Sequence, residues 1–156
     1  MASYLIGLHA GLGELGAIAF LWVLIEMMSP TPERVKRAKI VALIGVIALF
    51  LSWFVGGYYY VNTYGSEVKP IIKGGPQPWS HLIFTETKEH VFLFLPFLGI
   101  LNYAIIRKYE KELVKNKNIS SSVRMISLLI TILAFGMALM GYLISSGARS
   151  ALEVLA

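Results

Sequence analysis

The chain has 156 residues, 56% of them hydrophobic and only 15% charged, with a formal net charge of +5 and no cysteine. Four long apolar runs hold the surplus, which indicates a polytopic membrane protein rather than a globule with a large core. The missing cysteine excludes disulfides, thiolate metal ligands, covalent c-type haem attachment and cysteine nucleophiles.

The first apolar run, 4–28, is long enough to cross a bilayer. No basic segment precedes it and no small-residue cleavage site follows a short apolar stretch, so a retained span is expected rather than a signal peptide. It stops at Ser29-Pro30-Thr31-Pro32, where the prolines forbid continuation. A basic connection carrying Arg34, Lys36, Arg37 and Lys39 leads to a second span, 40–60, which ends in Trp53 and Tyr58-Tyr59-Tyr60, an aromatic cluster suited to the headgroup level. Pro70, Gly74-Gly75-Pro76 and Pro78 predict a turn-rich loop over 61–78.

The third span is expected over 79–106, with Pro96 kinking it and freeing the carbonyl near Phe92. The charged Lys108–Leu113 stretch reads as a continuation of that helix into water. A fourth span is expected over 123–145, followed by a short amphipathic tail over 147–156. The whole is one transmembrane domain, an all-α four-helix bundle.

Of the 14 basic residues, ten lie in the two connections 34–39 and 107–124; the others are Lys69, Lys73, Lys88 and Arg149. The positive-inside bias therefore places the two basic loops in the cytoplasm, and both termini and the 61–78 loop outside, in the cytoplasmic membrane. This grouping beside spans also argues against nucleic acid as a partner. The lipid bilayer is the first partner. A homo-oligomer or a place in a larger membrane complex is expected, because small-residue faces need covering.

All three histidines fall at the outer side. Counting about 20 residues back from the inner end of each span puts His9 near the edge of the hydrocarbon and His90 slightly inside it. Glu86 precedes His90 by four and shares its helix face. Glu14 follows His9 obliquely. His81 lies nearly opposite His90 and reads as an interface residue. Ionisable groups at this depth cost free energy, which makes them functional candidates. Gly7, Gly11, Gly13 and Gly16 thin one stretch of the first span, either for close helix packing or to leave room for a flat cofactor.

Three readings follow. In the first, His9 and His90 ligate a b-type haem, with Gly11 and Gly13 giving it room and Lys88 and Arg149 meeting the propionates. Glu86 would orient one imidazole. The protein would pass electrons, with a quinone or an external carrier as partner. This placement resembles small four-helix membrane cytochromes b, in architecture and histidine position alone. In the second, His9, His90, Glu86 and Glu14 bind one zinc, iron or copper ion. The His-Glu-x-x-His order is absent, which argues against a hydrolase. In the third, the chain is a cofactor-free accessory or anchor subunit.

Overall fold

The computed structural model describes residues 3–155, and every described element is helical. Helix α1, Ser3–Met28, ends before Pro30. Thr31 then caps α2, Pro32–Tyr59: its hydroxyl accepts the Arg34 backbone N–H at 3.3 Å, and Pro32 sits in the first turn, where its missing N–H is not needed.

The loop expected over 61–78 is largely helix. Helix α2 widens into a π-helical segment, π1, Tyr60–Val68, and continues as α3, Lys69–Gly74. Pro70 is accommodated in the first turn of α3, so it breaks no hydrogen bond the helix requires. The turn is confined to 75–78.

The third span starts with a second π-helical segment, π2, Ser80–Thr85, followed by α4, Glu86–Val91. It breaks at Phe92–Leu93 and resumes as α5, Phe94–Lys108. This is the expected Pro96 kink: the Phe92 carbonyl accepts the Leu95 N–H at 3.2 Å in place of the proline's missing donor. Helix α5 stops at Tyr109, earlier than expected, and the chain turns so that Leu113 returns to the core with no exposed surface.

Helix α6, Lys117–Leu155, is longer than the expected 123–145 at both ends. Asn116 caps it, accepting the Asn118 and Ile119 N–H groups at 3.0 and 3.3 Å. At a rise of 1.5 Å per residue it is about 58 Å long, more than the hydrocarbon core requires. The tail expected over 147–156, whose last residue lies outside the described residues, is the end of this helix. Gly147 lies against Ser80, and Ala151 against Gly75, so small side chains let α6 run closely past π2 and the 75–78 turn.

Four helical stretches are long and apolar enough to cross a membrane: Tyr4–Met28, Pro32–Gly74, Ser80–Lys108 and Lys117–Leu155. Their packing fits a lipid surround. Large apolar side chains such as Trp22, Phe54, Phe97 and Leu139 face outward, whereas Ser52, Asn102, Ser127 and Thr131 are buried. Small residues bring α1 and α2 together. A Cβ on Gly16 would meet Leu49 Cδ2 at 2.7 Å, and one on Gly45 would meet Phe20 Cε2 at 2.9 Å. Asn102 ties α5 to α6, donating from Nδ2 to the Val123 carbonyl at 3.0 Å and the Ser127 hydroxyl at 2.8 Å.

One end of the bundle is basic and closed by ion pairs. Buried Glu26 accepts from Arg37 Nε at 2.8 Å, Arg34 Nε at 3.0 Å and Trp22 Nε1 at 3.0 Å. Lys39 pairs with Glu110 across α2 and the α5–α6 connection. The opposite end holds the start of α1, the end of α2, π1, π2, α4 and the last turns of α6.

Candidate ligand cavity

A cavity of about 340 Å³ opens at that opposite end. It lies between His9 of α1, Trp53 and Gly56 of α2, Tyr60 and Tyr64 of π1, Thr85 of π2, Lys88 and Glu89 of α4, Phe92, and Gly141 and Ser145 of α6. Most of the wall is apolar and aromatic, with a few convergent polar groups, which is the composition of a small-molecule site.

His9 is held by α2. Its Nδ1 is 2.8 Å from the Ser52 carbonyl oxygen, while the Ser52 hydroxyl donates to the His9 carbonyl at 2.8 Å. A carbonyl can only accept, so Nδ1 carries the proton and the neutral ring keeps its lone pair on Nε2. Nε2 has no hydrogen-bond partner among the described residues. The imidazole lies directly over Gly56, where a Cβ would come within 2.6 Å of Nδ1. Phe92 closes the other side, edge-on, with ring centroids 6.0 Å apart. Gly13 lets Ser52 approach: a Cβ there would be 3.3 Å from its hydroxyl.

Lys88 reaches across to α6, where its Nζ would lie 3.2 Å from a Cβ on Gly141. Among the described residues it has no carboxylate partner; the ion pairs there are Arg34–Glu26, Arg37–Glu26, Lys39–Glu110 and the His81–Glu86 contact. A desolvated ammonium beside a neutral imidazole with a free lone pair can stabilise an oxyanion while the imidazole takes a proton.

The structure does not assemble the ligand sets expected from the sequence. His90 is exposed and lines a separate hollow with Glu89, Leu93, Phe94 and Phe97; its Nδ1 lies 2.7 Å from the Glu86 carbonyl oxygen. It does not share the cavity with His9. Glu86 does not orient His90 through its carboxylate, which lies 3.5 Å from His81 Nε2 instead. Glu14 and Arg149 are exposed and do not line the cavity. Gly11 has open space beside it, and Gly13 packs on Ser52. Among the described residues no three His, Asp or Glu side chains are grouped to hold a metal ion. His9 and Lys88 are the expected site residues that do line one cavity.

His81 has a different place from the interface position expected. It is buried, with Tyr64 Oη 3.0 Å from its Nδ1, and the same hydroxyl is 2.9 Å from Thr85 Oγ1. The π-helical turn explains its link to Glu86: the Glu86 N–H bonds the His81 carbonyl, so residues five apart stack where an α-helix would stack residues four apart. A 3.6-residue period hides that pairing. No protein-family model, no curated protein and no solved structure matches the chain.

Proposed function

We propose that the cavity binds a quinol-type ligand, a hydroxylated ring with an apolar tail, and that the protein serves membrane electron transfer by holding that ring at the outer edge of the bilayer. The observation that carries this reading is that His9, its Nδ1 held by the Ser52 carbonyl and its Nε2 without a hydrogen-bond partner among the described residues, lines an aromatic-walled cavity together with Lys88. A ring hydroxyl donates to Nε2. As its proton leaves, Lys88 stabilises the remaining oxygen. Trp53, Tyr60 and Phe92 supply surface for the ring. The volume, about 340 Å³, lies at the low end for ligand pockets and suits a single ring better than a porphyrin. The basic loops lie at the other end of the bundle, and the positive-inside rule supports a cavity on the outer side.

One observation favours haem as a second reading. A ligating histidine commonly gives its other ring N–H to a carbonyl, as His9 does to Ser52. Haem would then have His9 as its one protein ligand. Solvent extraction of the purified protein, with absorption spectra in both redox states, separates the two. Extractable quinone and no Soret band support the quinol reading. A Soret band that disappears in His9→Ala replaces it with haem.

A further inference from the structure

Tyr64 and Thr85 line the cavity, and their hydroxyls are 2.9 Å apart. Behind them, Tyr64 Oη is 3.0 Å from His81 Nδ1. The far side of that ring, Nε2, is buried without a hydrogen-bond partner and lies 3.5 Å from Glu86 Oε1. His81 is 1% exposed, whereas the Glu86 side chain is 46% exposed. A buried polar atom left unpaired costs free energy, and here the unpaired atom lies 3.5 Å from a carboxylate that is half-exposed.

We propose that Tyr64, His81 and Glu86 form a proton-exchange path between the cavity and the aqueous surface. The path deepens the quinol reading and rests on it for its use. A 1,4-dihydroxy ring has two protons to lose. His9 Nε2 accepts one, and the Tyr64–Thr85 hydroxyl pair offers the second exit.

The transfer balances as follows. The ring O–H breaks and its proton passes to Tyr64 Oη while the Tyr64 proton moves to His81 Nδ1. The Nε2 proton leaves for Glu86, and Glu86 releases one proton to water. The ring oxygen is left as an oxyanion that accepts from the Tyr64 hydroxyl. The Tyr64 hydroxyl is protonated before and after, and the reverse shift, when a ring oxygen is reprotonated, restores the starting tautomer of His81. The π-helical turns make the path possible, because they align His81 with Glu86 and bring Tyr64 of π1 against π2. The charged groups acting on His81 are Lys69 and Lys73 of α3 and Glu86 and Glu89 of α4, so the surface end of the path lies in a mixed field.

The test uses the full chain in lipid nanodiscs, without ligand, labelled with ¹⁵N-histidine. The path requires the Nε2–H tautomer of His81 and exchange of that proton with water through Glu86. Glu86→Gln should slow this exchange by about tenfold or more, because the amide cannot take and release the proton. Tyr64→Phe should leave the exchange fast and mix the two tautomers. An unchanged exchange rate in Glu86→Gln, or a His81 ring locked in the Nδ1–H tautomer, overturns the path. Glu86 is half-exposed, so its variant keeps the fold. Ligand binding plays no part in this measurement, so it fails separately from the cavity reading, which hydroquinone binding decides.

Discussion

The His9 Nδ1 and the Ser52 carbonyl oxygen stand 2.8 Å apart across the α1–α2 contact, and this bond fixes the imidazole in the cavity wall with Nε2 left unbonded among the described residues. The ring can sit there because residue 56 has no side chain. Gly56→Ala would place a Cβ 2.6 Å from Nδ1 and displace the imidazole. Overpacking of this kind costs about 1–3 kcal/mol. Thermal unfolding should register that loss, and binding of a short-chain hydroquinone should weaken by about tenfold or more, since the displaced imidazole no longer meets the ring hydroxyl.

Lys88→Met keeps the length of the side chain and removes the charge. The protein should fold with unchanged or raised thermal stability, because the ammonium has no carboxylate partner to lose. An ionised hydroxynaphthoquinone should bind about tenfold or more weakly, while its neutral parent quinone is less affected. Absorbance titration of both probes measures the difference.

At the basic end, Glu26 is 5% exposed and depends on two guanidinium groups. Removing both in Arg34→Ala/Arg37→Ala leaves a buried carboxylate with only Trp22 as donor. A loss of about 3–5 kcal/mol is expected, read by denaturant unfolding in detergent. Adding Glu26→Leu to that pair should recover part of the loss.

The α1–α2 crossing rests on Gly45. Gly45→Leu would drive side-chain atoms into Phe20, whose Cε2 lies 2.9 Å from where the first of them would be. The expected cost is about 1–3 kcal/mol, with loss of hydroquinone binding as α1 moves away from α2. Gly7→Ala, which meets open space within α1, should leave binding unchanged and stability unchanged or raised by up to about 1 kcal/mol.

Much of this architecture is legible in the chain. Apolar runs and prolines locate the four helical stretches, Pro96 marks the kink beside Phe92, and His9 and Lys88, which line the cavity, stand out in the chain by their polarity in apolar surroundings. Side-chain direction is less legible. The face on which His90 points depends on the phase of α4, which the break at Phe92–Leu93 and the wider turns of π2 both reset. The same wide turns pair His81 with Glu86 and carry helix through 60–74, where glycine and proline content alone reads as loop. Ser145 and Gly141 join the cavity because α6 forms part of its wall, a tertiary fact with no local signal.

Binding of a short-chain hydroquinone to the wild-type protein and to His9→Leu, followed by tryptophan fluorescence in nanodiscs, is the most direct test. Saturable binding that His9→Leu abolishes, with the fold retained by circular dichroism, is the predicted result. Equal binding to both proteins, or none to the wild type, would contradict it.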